Sequence, residues 1–367
     1  MSLRACFVVN AVDETSVPAD IATALVEHTD VEVDVLAWFD AAGFHGDDEV
    51  GVTCLDAPDT RLGVDLRTAR RARDTLNEYD VVQAHHNHSG SFAKLICAAT
   101  GTPVVSREGN MRRGFTREGL LLNGLTNPLT DRVVCNSEAV YQSFRDWERW
   151  LLPSGKVVII PNGVDLDRID AAADSEWTLE DRADVDPESV VVGTAGLLEA
   201  QKDQGTLIRG VAAARSLADR PLELVLAGDG PKEPELRALT AELGVEESVH
   251  FLGRLEREAV YAMLAATDIY AMPSLWEGFS AAAVEALGSG TPAVFSDIPP
   301  FRLPYDDVAL FHPPRDHEVL GQRLAQLADD EAKRSELGGA GRSLVEREYT
   351  IEHVATRYRD LYRTVTE

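Results

Sequence analysis

The stretch "DIYAMPSLWEGFSAAAVEALGSGTPAVFSD", residues 268–297, decides the fold. Ile269-Tyr270-Ala271-Met272 is an apolar run that ends at Pro273-Ser274, and it reads as a strand. Gly278 permits a tight turn, and Ser280 is a good N-cap for a helix running to about Leu287. Gly288 or Gly290 ends that helix, and Pro292 blocks its continuation. A second apolar run fills 292–296. A strand, a helix and a strand in succession form a crossover unit of parallel sheet.

The same alternation extends outward. Strands are expected over 4–10, 32–38, 80–84, 103–106, 132–136 and 157–160, then over 189–195, 222–227, 249–252, 268–272, 292–296 and 308–311. Helical patterns lie between most of them, including 65–78, 90–100, 137–150, 203–218, 231–243 and 256–265. The alternation pauses at IIPNGVDLDRIDAAADSEW and restarts at VVVGTAGLL, as at an interdomain connection. The expected fold is α/β, with two Rossmann-like, doubly wound domains facing each other across a cleft. Ligands in such sheets sit at the carboxyl ends of the strands. The expected domains are 1–165, 166–345 and a C-terminal helical segment, 346–367.

The chain has 367 residues, enough for two cores, and a net charge of −27. Sixty-two Asp and Glu stand against 35 Lys and Arg, and only Lys94, Lys156, Lys202, Lys232 and Lys333 are lysines. Such a surface suits a salt-loving microbe, because salt screens its self-repulsion. It argues against general nucleic-acid binding, which needs a basic footprint. Cys6, Cys97 and Cys135 fall in apolar stretches, as expected of free thiols in a reducing compartment. No run approaches the ~18 apolar residues of a spanning helix, so a cytoplasmic location is expected.

Ala281, Ala282 and Ala283 follow the cap Ser280. Small side chains there let an anion reach the free N–H groups of the first turn, where the helix dipole favours it. Glu285 leans back toward that turn, and Glu277 arrives from the loop. Two carboxylates beside a phosphate site make sense if each accepts hydrogen bonds from a pair of hydroxyls with the phosphates between them. A nucleotide sugar has that layout. A surface helix with two ordinary glutamates is the bland alternative.

These residues resemble a known family. EGFSAAAVEALGSGTPAV resembles the Glu-x7-Glu signature of retaining glycosyltransferase family 4, and VVCNSEAV, VVIIPNGVDLDRI, VGTAGLLEAQKDQGTLIRG, LVLAGDGPKEPEL, VHFLGRL and DIYAMPS match in order. The resemblance is strong over 130–297 and weaker before 80. It implies the GT-B fold, often with a C-terminal helix that returns to the first domain, and a halophilic archaeal source suits the charge. By resemblance, Glu285 binds the ribose hydroxyls, Glu277 contacts the donor sugar and Lys202 neutralises the diphosphate. Gly278, Phe279 and Ser280 meet the diphosphate or sugar through their backbone. Arg254 sits where the backbone meets the base, and Gly228 and Gly230 form a cleft loop. No cofactor is implied, since the nucleotide sugar is a substrate.

Three departures stand out. Leu197 replaces an arginine that helps the lysine hold the diphosphate. The family's early glycine pair appears as ETSVPAD. SREGN, residues 106–110, lacks a histidine found near the donor sugar, and Glu108 is the candidate to occupy that space.

AHHNHSG places His85, His86 and His88 at the end of an expected strand. Metal ligation, ordinary loop histidines and contact with sugar or acceptor are the three readings, with His86 or His88 expected to line the cleft and no metal site expected. NMRRGFTREGLLLNGLTNPLTD, residues 110–131, sets Arg112, Arg113 and Arg117 beside leucines. Basic residues next to an apolar face suit an anionic membrane or a lipid-phosphate acceptor. The leucines at 121, 122 and 125 equally fit a buried helix face.

The expected function is retaining transfer of a hexose from a nucleotide diphosphate sugar to a lipid-linked or glycan acceptor, with possible partners limited to these and to peripheral membrane contact. The rivals are a nucleotide-sugar epimerase of the same fold and a degenerate nucleotide-sugar-binding partner subunit.

Overall fold

A computed structural model describes residues 2–12, 16–41, 50–58, 65–85, 88–153, 155–179 and 181–367. The chain divides into two units, Met1–Gly163 with Ile351–Glu367, and Val164–Thr350. The boundary falls two residues before the expected 165, and the second unit runs on to 350 rather than 345. The residues expected as a separate tail, 346–367, are split between the units.

The first unit holds a seven-stranded sheet of β1 (Leu3–Ala11), β2 (Val31–Asp40), β3 (Gly51–Cys54), β4 (Val81–Ala84), β5 (Val104–Glu108), β6 (Arg132–Cys135) and β7 (Val157–Ile159). Their order is β3-β2-β1-β4-β5-β6-β7, and every pairing is parallel. Strands β4, β5 and β6 are almost wholly buried, which is why they read as short unbroken apolar runs. β3 was not expected. It is a four-residue edge strand with alternating exposure, too short to carry a periodic signal.

Because the chain winds first one way and then the other from β1, right-handed crossovers put helices on both faces. The helices Val17–His28 and Ile351–Thr366 cover one face, sharing a core with Phe7, Val33 and Val81. Tyr362 donates to Gln83 Oε1 at 2.6 Å, and Arg107 Nε donates to Tyr358 Oη at 3.2 Å, so buried polar bonds fix the C-terminal helix to β4 and β5. The helices Leu66–Leu76 and Ser89–Thr100 cover the opposite face through Ala72, Leu76, Ala93 and Cys97.

The second unit holds β8 (Val190–Ala195), β9 (Leu222–Ala227), β10 (Val249–Gly253), β11 (Ile269–Met272), β12 (Ala293–Ser296) and β13 (Ala309–His312). They are all parallel, in the order β10-β9-β8-β11-β12-β13. The order reverses between β8 and β11, and the carboxyl ends of these two strands form its topological switch point.

Candidate functional site

The site grows from the switch point of the second unit. After β8 the chain turns at Gly196 (φ +147°) and runs through Leu197 to Lys202. After β9 it turns at Gly228 and Gly230. A Cβ on Gly228 would lie 2.0 Å from the Gly196 carbonyl oxygen, and one on Gly230 would lie 2.5 Å from that of Leu198. The two loops are joined by backbone bonds from Leu198 N–H to Asp229 (2.8 Å) and from Lys232 N–H to Leu198 (2.9 Å). These glycines are therefore needed for loop-on-loop packing. The expectation that they line a donor cleft is not required to explain them.

After β11 the chain reaches Leu275, whose N–H donates to the Gln201 carbonyl at 2.8 Å. This bond brings the loop that carries Glu277 against the loop that carries Lys202. Lys202 Nζ lies 2.7 Å from Glu277 Oε1. Gln201 Nε2 donates to the Trp276 carbonyl at 3.0 Å and to Glu277 Oε2 at 3.3 Å. Both oxygens of a carboxylate that is 4% exposed are thus held by two adjacent residues. The sequence reading missed Gln201, because nothing in its neighbourhood marks it until the two loops meet.

Ser280 caps the helix Ala281–Gly288 as expected, its Oγ accepting from Ala283 N–H at 3.3 Å. Ala281 and Ala282 stay partly exposed at the first turn. Phe279 is half-buried and turns its ring toward Tyr349, 6.2 Å between centroids. Glu285 is half-buried on the second turn, with Tyr261 Oη 3.5 Å from its Oε1. Burial pushes the phenol of Tyr270, on β11, well above its usual range, and the charges of Glu285 and Glu277 push it further.

Leu197, where the family's arginine would stand, is 58% exposed. Its carbonyl accepts from Gln204 Nε2 at 2.9 Å. Arg254 follows β10 and is exposed, next to Gly253, whose carbonyl accepts from Gly228 N–H at 2.7 Å.

The candidates in the first unit fare differently. Glu108 and Arg112 are buried, at 4% and 2% exposure. Glu108 accepts from Arg112 Nη1 at 2.8 Å and from Asn123 Nδ2 at 2.9 Å, and Arg112 Nε donates to Glu148 Oε1 at 2.8 Å. Lys94 Nζ, also buried, donates to Asn123 Oδ1, Asn127 Oδ1 and Ser106 Oγ. Two cations and two carboxylates balance inside this network. Arg112 is therefore not a surface residue for an anionic membrane. Its guanidinium lies between the rings of Phe144 and Phe115, 3.7 and 4.7 Å from their centroids, which accounts for an Nη2 without a hydrogen-bond partner. Glu108 likewise faces its own partners rather than a sugar. Arg113 is exposed.

His88 packs against Phe39 and Phe92 with its Nε2 buried, so its ring does not line an open surface. His85 is buried against Phe7, with Nε2 2.9 Å from Gln83 Nε2. His86 lies outside the described residues. Among the described residues no three His, Cys, Asp or Glu side chains cluster as metal ligands. None of the described helices is long and apolar enough to cross a membrane.

Two family models match successive parts of the chain. Residues 16–168 match the family described as Glycosyltransferase Family 4, and residues 175–344 match Glycosyl transferases group 1. The chain has the GT-B fold, and each of its two halves matches a glycosyltransferase family model. It is similar to the MMP alpha-(1->4)-mannosyltransferase of Mycolicibacterium hassiacum, 36% identical over 41% of this chain and 37% of that one. It is also similar to the phosphatidyl-myo-inositol mannosyltransferase of Mycobacterium leprae, 26% identical over 78% of this chain and 74% of that one. Three of the curated relatives are spanned over only 61%, 37% and 60% of their lengths. The solved structure of Anabaena HepE with UDP and glucose shares the GT-B fold, with a TM-score of 0.76, 18% identity, and coverage of 99% of this chain and 100% of that one.

Proposed function

We propose that this GT-B glycosyltransferase moves a hexosyl group from a nucleoside diphosphate sugar to its acceptor with retention of configuration. The observation that carries the reading is the Lys202–Glu277 pair beside a helix whose alanine first turn is open to an anion. Lys202 and the first-turn N–H groups would receive the diphosphate, Glu285 the ribose hydroxyls, and Glu277 the hydroxyls of the sugar. Arg254 would mark the base end of the donor. Attack from the face that the leaving group departs keeps the configuration, and the departing phosphate oxygen takes the proton of the acceptor hydroxyl. Catalysis then consists of positioning and of stabilising charge on the leaving group. No strong base and no metal enter this scheme.

The acceptor is proposed to be lipid-linked or a glycan, reached from the cytoplasmic side. Similarity to the mycobacterial phosphatidyl-myo-inositol mannosyltransferase supports a lipid acceptor. High charge and scarce lysine support a high-salt setting, and a melting temperature that climbs with KCl tests it. Turnover measured with a panel of nucleotide sugars tests the donor, and persistence of that turnover in EDTA tests the metal-free scheme. A second reading, a nucleotide-sugar-binding partner without turnover, is favoured by the exposed Leu197. It predicts donor binding without transfer to any acceptor. The epimerase alternative predicts epimerised free sugar from donor alone.

A further inference from the structure

We infer that the second unit carries a saccharide site apart from the donor site, in a cavity of about 510 Å³ lined by the helices Gln204–Ala214 and Glu233–Leu243. Small-molecule sites commonly measure about 300–1,000 Å³. None of the residues proposed to hold the donor lines this cavity. Its walls include Glu199 and Ala200, just ahead of Lys202 in the chain, and Leu275 and Trp276, just ahead of Glu277. The inference rests on the transferase reading only for its purpose, which is to hold a sugar unit of a glycan acceptor or product.

Backbone strain singles the cavity out. Among the described residues, Asp56, Asp203 and Arg315 are the non-glycine residues with a left-handed backbone. Two of these three, Asp203 (φ +49°) and Arg315 (φ +66°), line the cavity. Such strain collects at ligand sites, where surrounding structure holds it in place. Asp203 Oδ2 accepts from Thr206 Oγ1 at 2.8 Å. Burial raises this carboxyl above its ordinary value, against the pull of Thr206 and of the Arg315 charge. A ligand hydroxyl donating to it would offset that burial. Arg209 is half-buried, and neither its guanidinium nor the Glu199 carboxylate forms a hydrogen bond or ion pair among the described residues.

The lining charges nearly cancel, and this selects the ligand. Lys232 pairs with Glu235, and Arg315 offsets Asp203. Arg209 then stands against Glu199 and Glu242. A site so balanced has no surplus of cations for a phosphate. A neutral pyranoside suits it, because its hydroxyls both accept from a guanidinium and donate to carboxylates. Leu236, Leu239 and Trp276 supply apolar surface for the C–H face of the ring.

Titration of the full chain with methyl α-D-glucopyranoside, methyl α-D-mannopyranoside and methyl α-D-galactopyranoside, read by saturation-transfer NMR, tests this without any donor. At least one glycoside is expected to bind saturably. Glu199→Ala/Arg209→Ala should weaken that binding roughly tenfold or more, as loss of a charge-assisted hydrogen bond does. The melting temperature of this variant should match wild type, since neither side chain is bonded in the folded chain. Ala238→Trp, at an exposed helix position that lines the cavity, should abolish binding by filling the space. Glu277→Gln should keep it. No saturable binding of any of the three glycosides, or binding unchanged in both cavity variants, overturns the site. Binding lost in Glu277→Gln and kept in Ala238→Trp puts the glycoside in the donor site and overturns it equally. Inorganic phosphate that displaces the glycoside overturns a neutral saccharide as the ligand. Glycoside binding by a chain that turns over no donor overturns the transferase reading and leaves the cavity site standing.

Discussion

Lys202 Nζ and Glu277 Oε1 lie 2.7 Å apart across 75 residues of sequence, and the carboxylate is the more buried partner. With no donor bound, the lysine's charge is met by this carboxylate. A diphosphate arriving at the helix would share the lysine and compete for it. Lys202→Ala should therefore weaken nucleoside diphosphate binding by ~1.5–3 kcal/mol, the range for a charge-assisted hydrogen bond. Glu277→Gln should lower turnover far more than nucleotide affinity, while Glu285→Ala should do the reverse. Titration calorimetry with free nucleotide beside steady-state kinetics checks both. Equal losses of nucleotide affinity in the two glutamate variants would remove the division of roles.

Gln201 holds the second Glu277 oxygen, so it is a positioning residue for the sugar carboxylate. Gln201→Leu should lower kcat roughly tenfold or more while the affinity for free nucleotide stays near wild type. Its backbone bond to Leu275 survives the substitution, so the melting temperature should barely move. A loss of stability without a kinetic change would make Gln201 merely structural.

Leu197 is exposed in the loop that leads from β8 to Lys202. Leu197→Arg adds a second cation to that loop and should tighten nucleoside diphosphate binding. Unchanged affinity in the same calorimetric measurement would mean that residue 197 does not approach the phosphates.

The network around Glu108 has a pH signature. Burial alone would raise its carboxyl, but Arg112, Lys94 and Asn123 outweigh burial and hold it at about 2. Its folded value is below the unfolded one, so its contribution is fully present above about pH 4.5 and is lost as pH falls toward 2. Burial likewise lowers the Lys94 ammonium to about 8, against the pull of Glu108. That shift has the same pH sign, since here too the unfolded state holds the proton longer, but it is a cost of burying the ammonium that is relieved as pH rises from about 8 to about 10.5. Glu108→Gln leaves Arg112 and Lys94 underpaired and should cost ~3–5 kcal/mol near neutral pH, less near pH 3. Urea melts at the two pH values check it, and an equal loss at both would place the carboxylate outside the network.

Much of this was legible in the sequence. Short buried strands alternating with amphipathic helices announced parallel sheets, and the Ser280 cap with its alanines marked the helix start. Within 110–131 the arginine expected at a surface is buried, and two of the three leucines that equally fitted a buried face are exposed. Arg112 is inside and Leu121 and Leu125 are outside, because an arginine can be buried between two carboxylates and two phenyl rings that only the tertiary fold assembles. Local sequence gave no sign of Glu148, 36 residues away. Gln201 was missed for the same reason, being 76 residues from its partner. The close backbone approach that the Gly228 and Gly230 turn requires was not legible, because sequence cannot distinguish a close ligand from a close backbone.

The central claim is retention of configuration during transfer from a nucleotide sugar. NMR of the anomeric proton in the product, formed by wild type from an α-linked nucleoside diphosphate hexose, tests it most directly. The account predicts an α-linked product, abolished in Glu277→Gln. A β-linked product, or donor consumed with no glycoside formed on any lipid-linked or glycan acceptor, would contradict it.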